Sequence, residues 1–329
     1  MEKKEYYGID LFKFIMSFCV IAIHTSLLNE QSHVFYSLII RMAVPFFFLS
    51  TGFLLSNKLN DSNENEYNLN IIKNQIIKFL KKYLFWSFIY LPLTIYGIFF
   101  FKYSLVGIVR NFLFVGEEYN SWQLWYLLSS VYAFVFLFFC FKKNVNSKKM
   151  ITIIFLIIVL KSLFDYYEVN YENFNIIFIV KVIRKTIRNF RIFNGIIFIT
   201  IGIKLKKVNV PFKINSFLFF LSLLLDYYIK NIIVSEYISI ITIISLFNFV
   251  KELNLKKSII YIYFRKMSSI IYYIHMYIFT IYSLIRYKKI NFGFEMFLVT
   301  SILSFVFSIM YIFISKKIEN NQLNKEIFN

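Results

Sequence analysis

Apolar residues run through this chain in blocks of about 16 to 22, separated by short polar segments in which lysine is the commonest charge. The blocks lie near residues 9–29, 34–57, 83–101, 122–141, 150–164, 190–205, 214–231, 234–250, 268–286 and 293–315. A helix rises about 1.5 Å per residue, so roughly 20 apolar residues cross the hydrocarbon core of a bilayer. The pattern therefore predicts an all-α, polytopic transmembrane helix bundle of about ten spans. The blocks at 150–164 and 190–205 are short, and "FNIIFIVKVI" at 174–183 reads as a half-span or an interfacial helix. Apart from the polar run "NDSNENEYN" at 60–68 nothing resembles a linker, and residues 1–329 read as a single integral-membrane domain with no fused soluble domain.

Composition agrees with the pattern. The chain is 59% hydrophobic and 22% aromatic, against about 45–50% apolar residues in a soluble domain. The net charge of +19 raises the question of a nucleic-acid partner. No recognition motif accompanies the charge, and it is dispersed between the apolar blocks, so no nucleic acid is expected. Lysines cluster at 58–82, 142–149, 204–213 and 251–267, which are alternate connections. They share one side of the bilayer, and the positive-inside rule makes that side, and both termini, cytoplasmic. Two connections resist. One holds Lys181, Arg184, Lys185 and Arg188, the other Arg286, Lys288 and Lys289. Either a span is miscounted or these cations serve an anionic ligand. Cys19 and Cys140 both lie in apolar blocks, with no metal-ligand spacing and no disulfide framework. The first block has no signal-peptide cleavage site after it and should stay attached. The excess of Lys over Arg, with abundant Ile, Asn, Phe and Tyr, points to an AT-rich bacterial coding sequence, and the apolar blocks then make the bacterial plasma membrane the expected location.

The first block carries unexpected cargo. "YYGIDLFKFIMSFCVIAIHTSLL", residues 6–28, holds Asp10, Lys13 and His24. Ionisable groups within hydrocarbon cost several kcal/mol and usually face a bundle interior. At about 100° per residue, the eleven steps from Lys13 to His24 return the helix to within roughly 20° of one face. Asp10, Ser17 and His24, seven apart, fall on that face too. The alternative is that Asp10 and Lys13 anchor the helix end while His24 makes one packing hydrogen bond. In the second block, Arg41 lies about two turns into the membrane, followed by a mid-span Pro45 whose missing N–H needs compensation. Ser50, Thr51 and Gly52 form a small polar patch that lets another helix or a ligand come close.

These residues carry a resemblance. "GIDLFKFIMSFCVIAIH" resembles the opening signature of the membrane-bound acyltransferase 3 family, in which a basic residue precedes a histidine by eleven positions. "VPFFFLSTGFLL" is similar to the family's second-span motif, and "KKYLFWSFIYLP" to its basic approach to the third span. "WQLWYLLSSVYAFVFL" and "IYYIHMYIF" resemble the Leu-Trp-Phe/Tyr span and the penultimate span, all in family order. The resemblance implies a ten-helix bundle that transfers acyl groups, commonly acetyl from acetyl-CoA, to hydroxyls of cell-surface carbohydrates. His24 matches the essential histidine and Lys13 its basic partner, which is more usually Arg. Many members also carry an extracytoplasmic domain that completes transfer to the glycan, so a separate extracytoplasmic transferase is a possible partner.

Acyl transfer needs a base for the hydroxyl proton and donors for the developing oxyanion. His24 is the expected base, oriented by Asp10, by Ser17 or by groups on other spans. The catalytic candidates are thus His24, Lys13 and Asp10. Lys13, Arg41, Lys81 and Lys82 are the candidates for holding acyl-CoA, a donor substrate rather than a tightly bound cofactor. Trp122, Trp125 and His275 are candidates for the acceptor, a glycan or lipid-linked sugar, although an aromatic belt and a packing histidine explain them too. No metal site is expected. His33 reads as a solvated loop residue. The rival class is a polysaccharide exporter or ion-coupled transporter, for which Lys13, Arg41, Lys161, Asp226 and His275 would line the path. A scaffold or sensor leaves the His24 stripe without a task.

Overall fold

The computed structural model describes residues 5–26, 40–60, 65–102, 104–170, 191–229 and 231–327. Among these residues the structure is helical and has no strand. The α-helices are α1 (Tyr7–His24), α2 (Ala43–Ser56), α3 (Asn65–Ile89), α4 (Leu91–Phe101), α5 (Leu105–Arg110) and α6 (Trp125–Lys142). They continue with α7 (Ser147–Asn170), α8 (Arg191–Lys204), α9 (Phe212–Tyr228), α10 (Ile232–Lys251), α11 (Ile259–Tyr287) and α12 (Phe294–Ile327). Among the described residues five stretches are long and apolar enough to cross a membrane: α1, Trp122–Lys142 within and just before α6, Val234–Lys251 in α10, α11, and Phe294–Ile318 in α12. The pair α3 and α4, bent by 49°, makes a sixth if it forms one span. The half-span at 174–183, the cations Lys181, Arg184, Lys185 and Arg188, and His33 lie outside the described residues.

Hydroxyls tolerate these apolar helices by bonding back to their own turn. Ser50 donates to the Phe46 carbonyl at 2.7 Å, Ser130 to Tyr126 at 2.8 Å and Thr280 to Met276 at 2.7 Å. Each satisfies the hydroxyl without a partner helix. Two expectations need correction. Segment 58–82 is not simply a loop, because α3 begins at Asn65 and runs through the lysines. Its buried residues, Asn68, Ile72 and Tyr83, are four and eleven apart and share one face, while Lys73, Lys78 and Lys81 point elsewhere. Pro45 does not interrupt the middle of a helix: it is the third residue of α2, in the first turn, where proline is tolerated.

The described chain falls into two compact units. The first joins Met1–Ala43 to Leu253–Asn329 and so contains α1, α11 and α12. Here α1 and α11 run parallel. Tyr7 stacks on Tyr261 with centroids 5.2 Å apart, Phe14 on Phe264 at 4.5 Å, and Ile21 packs with Ile271 further along. α12 runs the other way: its first turn meets the end of α1, where Gly293 N–H donates to the Thr25 carbonyl at 2.8 Å. Further down, Phe305 lies beside Phe14, and Lys316 bonds Tyr263. Thr300, Ser304 and Ser308, all fully buried at four-residue spacing, give α12 a small-sided face for this packing.

The second unit is Val44–Glu252. α2 and α8 approach through glycines: a Cβ on Gly52 would collide with the Ile199 carbonyl, and one on Gly202 with that of Leu49. The small patch read around Gly52 thus receives a helix. Ser129 of α6 bridges to α8, donating to the Arg191 carbonyl at 2.9 Å and accepting from Gly195 N–H at 3.1 Å. α7 meets α10 through an ion pair of Lys161 with Glu236, whose second oxygen accepts from Ser162 at 2.9 Å. α10 holds α9 through Ser235, which donates to Asp226 at 2.9 Å.

Candidate active site

The polar stripe of α1 turns inward. Asp10 and Ser17 are buried, and Lys13 and His24 are half-buried. At the start of the helix the Asp10 carboxylate takes a two-pronged grip from Arg265 of α11, with Nε 2.8 Å from Oδ1 and Nη2 2.5 Å from Oδ2. Arg265 lies in the basic segment 251–267, which the sequence pattern reads as a loop, so it does not stand out there as a partner for Asp10. The signal was present, since a carboxylate in an apolar block demands a cation and a fork suits it best. Ser17 donates to the Phe14 carbonyl at 2.6 Å. Asp10 stands fourteen residues from His24, about 21 Å along the axis, so it does not touch the imidazole it was expected to orient.

A group on another span does. The His24 ring stacks on His275 of α11, with centroids 5.4 Å apart and planes inclined by 29°. His275 is 1% exposed. Its Nδ1 lies 3.0 Å from the Ile271 carbonyl of its own helix. A carbonyl only accepts, so Nδ1 carries the proton and Nε2 is left as a bare acceptor. That Nε2 is buried and has no hydrogen-bond partner among the described residues. His275 was read as an acceptor-binding or packing residue; the structure pairs it with the expected base.

The other candidates are placed as follows. Lys13 stands eleven residues from His24, about 16 Å along α1. Arg41 is in a 3-10 turn, Ile40–Met42, that packs on α1. Lys81 and Lys82 belong to α3 in the second unit, Lys81 exposed and Lys82 half-buried. Trp122 starts a 3-10 turn before α6 and is half-buried. Trp125 is already packed: the Arg191 guanidinium lies 5.1 Å from its ring centroid and Phe48 meets it edge-on at 5.7 Å. Arg191 also ion-pairs the buried Glu117. No group of three or more His, Cys, Asp or Glu that could hold a metal ion occurs among the described residues.

Described residues that are all-helical, with several helices fit to cross a bilayer and an imidazole pair between two of them, define a multi-pass membrane protein with a polar site. Its relatives say which kind. The chain belongs to the acyltransferase 3 family, whose acyltransferase domain matches residues 6–315. It is also similar to two amino-acid racemases of Enterococcus faecalis, 32% identical over 148 residues and 33% over 129. These stretches take in 40% and 38% of this chain but 20% and 18% of the racemases. The chain thus spans about a fifth of the length of the curated relatives it matches. No solved structure matches.

Proposed function

We propose that this protein transfers an acyl group, acetyl from acetyl-CoA, to a hydroxyl of a cell-surface or exported carbohydrate. The observation that carries the proposal is the His24–His275 pair, with its unpartnered Nε2, in a chain of the acyltransferase 3 family. The acceptor oxygen attacks the thioester carbonyl, its proton passes to His24, the C–S bond breaks, and CoA leaves as the thiolate. His275, whose Nε2 is a bare acceptor beside the His24 ring, can take up the displaced proton from it. A neutral imidazole suits the base role near neutral pH. Lys13 and Arg41 supply positive charge for the donor's phosphates. Lys81 and Lys82 add to a field that concentrates an anionic donor on the cytoplasmic side.

The ten-span topology belongs to this proposal. Parallel α1 and α11 require an odd number of crossings between them, and seven spans meet that condition. Antiparallel α12 returns the chain to the side where α1 begins, which agrees with termini on one face. Lys256, Lys257, Lys266 and Lys317 belong to segments at that end, so the positive-inside rule makes it cytoplasmic. The exporter reading is weakened because Lys161 and Asp226, two of its path residues, are engaged by Glu236 and Ser235.

The test is His24→Asn, which keeps a hydrogen-bonding side chain of similar size. Membranes carrying each protein at equal level, given labelled acetyl-CoA, should transfer label to surface glycan with the wild type. Transfer should fall about 10²- to 10⁴-fold in the variant, as expected when a positioned base is removed. Undiminished transfer by a well-folded His24→Asn protein sinks the base assignment. Glycan flux independent of CoA would instead favour the exporter.

A further inference from the structure

The bent pair α3–α4 makes a cavity that the transfer chemistry does not use. Its axis turns by 49° across Tyr90, with Pro92 in the first turn of α4. Proline there supplies no N–H to the turn before, so the chain bends rather than continuing straight. The cavity encloses about 420 Å³, within the roughly 300–1,000 Å³ of small-molecule sites. Its second wall is α5 with the π-helical turn Asn111–Val115. Two phenols pin that wall: Tyr83 donates to the Phe112 carbonyl at 2.6 Å and Tyr132 to Leu113 at 2.7 Å.

The lining is almost wholly apolar, and Leu84, Phe88, Leu91, Val109 and Leu113 are exposed as well as lining it. A rim of this kind is approached from hydrocarbon, not from water. One carboxyl, Glu118, also lines the cavity, and both its oxygens are buried without a hydrogen-bond partner among the described residues. Its own N–H is served, donating to Ser121 Oγ at 3.0 Å. Burial pushes the Glu118 carboxyl up to about 8, with Arg110 pulling against it. Arg110 itself is turned to the Asn111 side-chain oxygen at 2.7 and 3.2 Å. An unsatisfied buried carboxyl is costly, and a guest with a donor would remove the cost.

We propose that this groove is a lipid site, in which an apolar chain of a membrane amphiphile fills the cavity and an O–H or N–H of its head donates to Glu118. The rim selects for a chain delivered from the bilayer. The carboxyl selects for a head that donates, and disfavours one presenting only anionic oxygens. The proposal goes beyond acyl transfer and does not depend on it.

The experiment photolabels the full chain in nanodiscs with hexadecanol carrying a terminal diazirine, beside the methyl ether of the same probe. The alcohol should label peptides within 83–94 and 105–124, saturably and in competition with plain hexadecanol. The ether, lacking the donor, should label roughly tenfold less, as for loss of one buried hydrogen bond. Glu118→Gln, which keeps an accepting carbonyl, should label within about threefold of the wild type, and Glu118→Leu about tenfold less. Should Glu118→Leu fail to fold, Leu113→Trp narrows the mouth from an exposed rim position and should also cut labelling. Equal labelling by alcohol and ether, full labelling of Glu118→Leu, or crosslinks confined to other helices would each overturn the proposal. Since the readout is occupancy, any of these results leaves the acyl-transfer reading standing.

Discussion

Replacing His275 by Leu separates a working imidazole from a packing one. Leu has similar bulk and no polar atom. Two terms change in the folded protein. The bare, buried Nε2 disappears, relieving an unsatisfied acceptor worth about 1–3 kcal/mol. The Nδ1–H bond to the Ile271 carbonyl is lost, worth about 1 kcal/mol net. That carbonyl stays satisfied, because the backbone N–H four residues on bonds it within the helix. The terms partly offset, and stability should be unchanged or rise by up to about 2 kcal/mol. Activity should not offset. If the stacked rings handle one proton together, removing one should cost about 10²–10⁴ in rate. The combination with His24→Asn should then cost little more than either change alone. The assay pairs a thermal melt of detergent-solubilised protein with initial rates of labelled acetyl transfer, expressed per folded molecule. A rate within threefold of the wild type would refute the reasoning. So would a fall in stability beyond about 3 kcal/mol, because it would mean Nε2 has a structural partner.

The remaining predictions are shorter. Lys13→Arg should keep substantial activity because the charge is preserved, whereas Lys13→Ala should sharply raise the acetyl-CoA concentration needed; equal activity in both would reduce Lys13 to an anchor. Asp10→Ala should cost about 2–3 kcal/mol by melting, below the 3–5 of a fully buried pair because Arg265 is partly exposed, and an unchanged melt would deny the anchor. Its rate per folded molecule should stay near wild type if Asp10 only holds helices together. Asn146→Cys should resist an impermeant thiol reagent applied to intact cells; strong labelling from outside would invert the topology.

Element type was written in the apolar blocks because a bilayer admits few solutions: where backbone groups find no water, a helix satisfies its own. The inward face of α1 was equally legible, since 3.6-residue periodicity alone aligns Asp10, Ser17 and His24. Their partners were not. Arg265 and His275 lie more than 250 positions from Asp10 and His24, and no local rule couples such distances. Arg265 was obscured by the loop lysines around it, and His275 by having an equally good reading as a packing residue. The α3 boundary failed for another reason: a lysine-bearing stretch that buries only Asn68 and Ile72 on its inner face is too polar to register as an apolar block.

The unit holding the histidine pair is assembled from the two ends of the chain, and this sets the timing of its manufacture. α1 is synthesised some 250 residues before the part of α11 that it grips. At about 5–20 residues per second, roughly 12–50 s pass with Asp10 and His24 already committed to a helix and Arg265 not yet made. The nascent segment must wait at the insertion machinery, keep its carboxylate near the water boundary, or borrow a temporary companion. The imidazole pair then forms only once α11 has been made, so a chain stalled or cut before α11 would carry the other unit's helices into the membrane without it.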